Sequence, residues 1–482
     1  MRMSKALKII TAIAMISVVL TISSVFSLFT STVIITNSGN IIAAVNRMAA
    51  SGSARDIQAA VDWVVAHGGV GNVTIPAGTF NFFEAGDTWK PVFVPIGVNI
   101  IGASPTGSDS LGIPTGWTTI IKQGIYVSGN ESGGIQAWFQ LGRSYANEYF
   151  SWNDSSEPKI GPVDPSRWVK PIRFANIMLD GWRTDYPLSG AETIGLVITG
   201  VINFRVDHCN FKNIAGGAII INAYYQSGDH CCGVIDHNKI WNTNGISNNA
   251  NYILGNVGYG IAVSREIYPG ALPYDSTTDL LGKYFSYAVY IENNYFSRWR
   301  HDISSGHGSW YVARYNLFEH DFDGVTVDMH GERDVGDYAG SRGGEVYENI
   351  FLNCTYYGDN NDQSMDLKAM FCVRGGSGVF FNNYADSTYK RVFMDEYDAV
   401  HNEVWKMKDW FVWSAKGTTP ELAVIANYNP FTYDPANNNH LDWARQAGTP
   451  SDVNYPNVDP SWSIAGYKPY TYPHPLTLGL EP

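Results

Sequence analysis

Residues 301–345 hold four of the chain's eleven histidines, His301, His307, His320 and His330, where an even spread would place about one. The same stretch carries Arg314, Arg333 and Arg342, follows directly on Arg298 and Arg300, and contains no lysine. Within it, VTVDMHG (325–331) alternates as a strand does. Val325, Val327 and Met329 then fall on one face, and Thr326, Asp328 and His330 on the other. With the apolar face buried, Asp328 and His330 stand side by side on the outside. FCVRGG (371–376) repeats the pattern, with Phe371 and Val373 inward and Cys372 and Arg374 outward. DISSGHG (302–308) offers Ile303 inward, with His301 just ahead of it and His307 near the outer row.

These residue types serve two chemistries. In a β-elimination, a base removes the proton beside a carboxylate while a cation neutralises that carboxylate. His330 suits the base, since imidazole titrates near neutrality, and Arg374 or Arg342 suits a bidentate clamp. In a glycosidic hydrolysis, two carboxylates flank the scissile bond, and the candidates are Asp321, Asp323, Asp328 and Glu345. A solvated, salt-bridged outer surface would use the same residue types. Arg333 and Asp334 fit such a surface, and His208, His230 and His237 read as turn or core residues.

Residues so far apart converge only if the chain returns repeatedly to the same place. A recurring phrase says that it does: an apolar residue, Asn three positions on, and an apolar residue two further. IDHNKI (235–240), IENNYF (291–296), ARYNLF (313–318), VYENIF (346–351) and VFFNNY (379–384) fit, and VDHCNF (206–211) fits with Cys209 in the Asn place. GIAVSREI (260–267) stands where a further unit is expected between 235 and 291. Spacings of this order signal a solenoid, whose units share one core because none closes its own. Asn at a fixed place suits a sharp turn, and amides stacked one per coil can form a ladder. Neighbouring strands then lie about 4.8 Å apart, which brings His330, Asp328 and Arg374 within reach of one sugar ring.

Ahead of the repeats, ARDIQAAVDWVVAHGG (54–69) has Ile57, Val61 and Val64 at helical spacing and two glycines that end the helix. Asn72 to Ile75 reads as a strand and Pro76-Ala-Gly78 as a turn. This helix-strand opening, FANIMLDG (174–181) and VINFRVDHCNF (201–211) resemble the pectate-lyase-like superfamily of right-handed parallel β-helices. The resemblance covers about 54–398. It implies an all-β solenoid with three strands per coil and a helix capping the N-terminal end. It fixes no activity, because the superfamily includes lyases, hydrolases and plain binding proteins. GHG at 306–308 echoes a polygalacturonase motif of that superfamily, but the adjacent Asp pair and the Arg-Ile-Lys expected with it are missing. Calcium-assisted lyases of the superfamily often use Lys or Arg as base, and only Arg is present in this stretch.

The remaining sequence bounds the setting. Arg2, Lys5 and Lys8 precede an uncharged run from Ile9 to Leu28, as in an export signal or membrane anchor at 1–30. Residues 31–53 read as a linker, 54–398 as the β-helix, and 399–482 as a non-repeating cap or arm against its far end. Long insertions are expected at 81–170, 243–284 and 356–367. A net charge of −13 argues against a nucleic-acid partner. The partner expected is a polysaccharide or other glycan, in a secreted or cell-surface location, with the membrane met only through the N-terminal segment. The sequence demands no cofactor. DNNDQSMD (359–366) offers oxygen ligands suited to Ca²⁺, though a polar loop would look alike. The five cysteines show no CxxC spacing and read as small apolar core residues, with one bridge between coils left open. Asn72, Asn130, Asn153 and Asn353 head Asn-x-Ser/Thr triplets that permit glycosylation.

Overall fold

The computed structural model describes most of residues 32–479. Outside it lie 1–31, 125–135, 143–170, 182–192, 223–230, 244–257, 265–287, 331–340, 355–367, 396–409, 418–468 and 480–482. Shorter stretches at 36–40, 88–89, 215, 307–308, 321–324, 342, 390 and 414–415 are also outside. The export-signal reading, the Ca²⁺ candidates Asp359, Asp362 and Asp366, and the site candidates His307 and Arg342 therefore fall outside the described residues. So do Asp321 and Asp323. No helix among the described residues is long and apolar enough to cross a membrane.

Among the described residues three sheets, with twelve, nine and ten strands, form the walls of a solenoid, parallel throughout except for the antiparallel edge strand Thr32–Ile35. We call them the first, second and third walls. One coil reads Val289–Glu292 on the first wall, Tyr295–Ser297 on the third and His301–Gly306 on the second. The next coil repeats this with Trp310–Arg314, Leu317–Glu319 and Val325–Met329, and the one after with Gly343–Tyr347, Ile350–Leu352 and Ala369–Val373. Each strand pairs with its successor one coil on, so Val289 meets Tyr311 and Tyr311 meets Gly344. The interior is one continuous apolar core from Ala49 to Tyr389. It includes Ile261, Ile303, Val327 and Phe371, one above another. The helix Ala54–Ala66 covers the first coils, buries Ile57, Ala60, Val61 and Val64, and is capped by Ser53, whose side chain accepts from Asp56 N.

The Asn phrase builds the expected ladder. Asn238, Asn294, Asn316, Asn349 and Asn383 are buried, and each of the first four donates from Nδ2 to Oδ1 of the next at 3.0–3.1 Å. Each Nδ2 also donates to a backbone carbonyl of the preceding coil. Cys209, in the Asn place of its own phrase, donates its N–H to Asn238 Oδ1. The last phrase is displaced by one residue from the spacing read in the sequence, because Asn383 and not Asn382 joins the ladder. The left-handed corner is also not at the ladder Asn. It falls one residue earlier, at His208, His237, Asn293, Tyr315, Glu348 and Asn382. The corner lets the chain turn while the following amide points inward.

Other expectations change in detail. GIAVSREI is not a separate unit: Tyr259–Ser264 is the second-wall strand of the coil that begins at Cys232–Asp236. The long spacing to 291 therefore comes from chain inserted on both sides of that strand, between Trp241 and Tyr259 and between Ser264 and Val289. The stretch 81–170 contains wall strands at Val92–Pro95, Val98–Gly102, Thr119–Gly124 and Gln136–Gly142, so the coils run through it. Ile41–Met48, within the expected linker, pairs parallel with Gly71–Ile75 on the first wall. At the other end, Trp410–Trp413 and Lys416–Gly417 still pair with the walls. All five cysteines are buried.

Residues 469–479 lie along the first wall. There Arg314, fully buried, donates to Glu292 Oε2 (Nε, 2.8 Å), the Tyr347 hydroxyl (3.0 Å), Tyr470 O (2.7 Å) and Thr471 O (2.9 Å). His474 N donates to Glu292 Oε1, and Arg205, held by Asp236, donates to Thr477 O. The C-terminal segment thus crosses the flank of the middle coils.

Candidate functional site

The second wall sets the site. Its registers align Ser304, Asp328 and Cys372 in one outer row. The same offsets, continued by His330 N donating to Ser305 O and Arg374 N donating to Met329 O, place Gly306, His330 and Arg374 in the next. Val327 and Met329 enter the core, as alternation requires. The alternation fails at the strand's start. Val325 packs outside the main core with Ala369 and Cys372, and the Thr326 hydroxyl bonds the hydroxyl of the core residue Tyr389 at 2.9 Å. The two neighbouring residues thus exchange the faces that simple alternation would give them.

Asp328 is fully buried and is the centre of the cluster. Arg374 grips it with Nη2 2.5 Å from Oδ2 and Nε 3.3 Å from Oδ1. His330 Nε2 lies 2.6 Å from Asp328 Oδ2, and His301 Nε2 lies 3.5 Å from the same oxygen. Burial alone would push the carboxyl up. The Arg374 guanidinium, with His330 and His301, outweighs that and holds it well below the usual carboxylate range. Asp328 is therefore an ionised, immobile anion and not a proton donor. His301 Nδ1 lies 2.7 Å from the Val325 carbonyl, which makes Nδ1 the protonated nitrogen and turns Nε2 toward Asp328. Tyr259 stacks on His301 (5.5 Å, 14°) and meets His330 edge-on (6.3 Å, 89°). Among these side chains His330 is the most exposed, at 18%, against 8% for Arg374 and 4% for His301. A Cβ added at Gly306 would meet His330 Cβ at 3.7 Å, ordinary contact, so the glycine leaves that flank of the imidazole uncrowded.

The structure thus brings together His330, Asp328, Arg374 and His301. The register puts Gly306, and not His307, beside His330. Glu345 is elsewhere: it is buried on the first wall between Val312 and Val379, in the neighbourhood of Tyr290 and Tyr347. Tyr259 was not anticipated. Aligning YGIAVS with HDISSG would have shown it directly above His301, a pairing that the register confirms. Arg374 also departs from its expected role, because its two-pronged edge is engaged by Asp328.

Three walls in one coil-by-coil register, tied by an amide ladder, decide the architecture. The chain is a parallel β-helix protein. No protein-family model matches this β-helix, and no curated protein matches it. Solved structures with a similar backbone include a tailspike protein mutant of E. coli bacteriophage HK620 in complex with pentasaccharide. It is 15% identical, covers 81% of this chain and 57% of its own, and has a TM-score of 0.46. This β-helix therefore corresponds to little more than half of the tailspike chain. An alginate lyase from Paenibacillus sp. str. FPU-7 is 11% identical, with 80% of this chain and 98% of its own covered and a TM-score of 0.36. DFA-IIIase from Arthrobacter chlorophenolicus A6 in complex with GF2 is 12% identical, with 78% and 85% covered and a TM-score of 0.40. At such identities the likeness concerns the path of the backbone and not the chemistry.

Proposed function

We propose that this β-helix recognises an extracellular polysaccharide and cleaves it by β-elimination at a uronate, with His330 as the base. The observation that carries the reading is the split of roles around Asp328. With His330 Nε2 directed at that buried carboxylate, Nδ1 is the nitrogen that takes the substrate proton. Asp328 fixes the tautomer and stabilises the imidazolium that forms. Arg374 holds Asp328 in place, so the substrate carboxylate needs another cation, for which Arg342 is the candidate. The resemblance of 54–80, 174–181 and 201–211 to the pectate-lyase-like superfamily is compatible with a glycan substrate, and the basic start and uncharged run at 1–30 support an exported setting.

Hydrolysis fits less well. A pair of flanking carboxylates needs one member that is protonated and able to donate. Of the four carboxylate candidates, Asp328 is held ionised and Glu345 is on a different wall, while Asp321 and Asp323 lie outside the described residues. The test is a panel of uronate-containing and neutral polysaccharides, followed by ultraviolet absorbance for unsaturated uronates and by reducing-end release. Growth of both signals together is the expected result, lost in His330→Ala. Reducing ends without absorbance would mean hydrolysis. Glycan binding without either signal would make the protein a surface adhesin.

A further inference from the structure

His301 is the member of the cluster that the elimination does not use. Its side chain is 4% exposed, and its Nε2 faces Asp328 and not the open side of the site. We propose that His301, Asp328 and His330 together bind a first-row divalent transition-metal ion, with zinc as the probe, and that the ion and the catalytic base are mutually exclusive occupants of the site.

The donor atoms are already gathered. One ligand atom from each of the three residues lies within 4.8 Å of the others. Zinc takes nitrogen and oxygen ligands at about 2.0–2.2 Å in a tetrahedral array, which separates ligand atoms by about 3.3 Å. His301 Nε2 and Asp328 Oδ2, at 3.5 Å, are at that separation. His330 Nε2 and Asp328 Oδ2, at 2.6 Å, are closer than that and must part by about 0.7 Å. On entry the ion takes the Nε2 lone pair and the imidazole proton moves to Nδ1, so His330 stays neutral and its Nδ1 can no longer accept the substrate proton.

The surroundings are those of a metal ligand set. Metal-binding imidazoles donate their second N–H to a carbonyl or carboxylate, which fixes ring and tautomer. His301 Nδ1 does so at the Val325 carbonyl, 2.7 Å away, and Tyr259 stacks on the same ring. His301 and Asp328 come from paired strands of adjacent coils, and His330, one residue past its strand, is held in the same register by its N–H to Ser305 O. Two imidazoles and one carboxylate suit zinc-like ions, whereas Ca²⁺ and Mg²⁺ prefer oxygen ligands. Three protein ligands would leave a fourth position of a tetrahedral ion for water or substrate, and His330, at 18%, is the most exposed of the three. Arg374 works against the ion, since its guanidinium already neutralises the carboxylate. Removing that cation should tighten binding, the opposite of what loss of a merely structural support would do.

The site does not depend on the elimination reading, but where both hold, zinc inhibits cleavage by occupying His330. The chelator-stripped full chain is titrated with Zn²⁺ by calorimetry and with Co²⁺ by visible absorbance. One ion per chain, a tetrahedral Co²⁺ spectrum and no heat with Ca²⁺ or Mg²⁺ are expected. His301→Gln should weaken zinc at least tenfold with an unchanged circular dichroism spectrum, and Arg374→Gln should strengthen it. No saturable zinc binding up to about 1 mM, or wild-type affinity in His301→Gln, overturns the proposal. If His301→Gln does not fold, the Co²⁺ spectrum of the wild type decides: without a tetrahedral band the proposal fails. Binding is read without any glycan, so a chain that binds zinc yet cleaves nothing keeps the metal site and loses only the elimination.

Discussion

Asp328→Asn is the substitution that tests the site most directly. It keeps the shape and removes the charge that faces Arg374 at 2.5 and 3.3 Å, His330 at 2.6 Å and His301 at 3.5 Å. Arg374 is 8% exposed, so its charge would be left nearly dry with no anion opposite. Removing one partner of a buried ion pair costs about 3–5 kcal/mol. The amide retains an acceptor oxygen, which puts the expected loss near the lower end, about 3 kcal/mol. The loss of activity should be larger than this stability loss implies. Without the carboxylate, His330 loses the group that fixes its tautomer and supports its positive charge, which in a comparable His–Asp arrangement lowers turnover by about 10⁴-fold. Urea melts give the first quantity. Single-substrate kinetics by ultraviolet absorbance, at a temperature where the variant is folded, give the second. A folded Asp328→Asn protein with turnover within about tenfold of wild type would refute the role given to the carboxylate, since that difference is only about 1.4 kcal/mol of transition-state stabilisation.

Asn316→Ala removes bonds to Ile291 O and Asn349 Oδ1 and strands the N–H of Asn294; with about 1–3 kcal/mol for each buried group left unsatisfied, a loss of about 3 kcal/mol in urea melts is expected. The exposed Asn81→Ala, outside the ladder, should cost well under 1 kcal/mol as a control. His474 is held down to about 4 by burial first, then by Arg314 and Arg205, with Asp236 opposing. Its folded value is thus below the ordinary 6.5, so its contribution to docking of 469–479 is complete above about pH 6.5 and is lost as pH falls toward 4. The raised value of Glu292 opposes this in part, and limited proteolysis of the segment should accelerate between pH 7 and 5 in wild type but not in His474→Gln. Gly343→Ala would drive a Cβ to 2.5 Å from the Trp310 ring and should lower the melting temperature, whereas Gly306→Ala should leave it unchanged.

The outer pairing of Asp328 with His330, and the approach of Arg374, were legible because a two-residue period and a shared following glycine fix both facing and stacking. The Asn ladder was legible because its residue type recurs in phase. Its last rung was misplaced because FFNNY offers two adjacent asparagines, and only the geometry of the corner chooses Asn383. Glu345 was grouped with the site because it is near His330 in sequence. Yet the chain passes from the second wall to the first between them, and the sequence carries no mark of that crossing. Thr326 turned inward because a core hydroxyl, Tyr389, was there to receive it, a partner more than sixty positions away. The docking of 469–479 was hidden for a similar reason. PYTYPHPL has no periodicity, and its anchors Arg205, Glu292 and Arg314 look like ordinary surface charges until the wall beneath them is known.

That docking has a bearing on how the molecule is made. Arg314 is sealed between Glu292 and carbonyls that follow it by more than 150 residues, so on a ribosome the coil bearing it emerges well before its cover is synthesised. Until then the nascent flank lacks the carbonyls that cover the Arg314–Glu292 pair and the rings of Tyr470 and His474 that pack on Tyr290. A polypeptide truncated shortly before residue 469 would keep that unfinished flank, with its coils stacked but open to proteases and to adhesion by other chains.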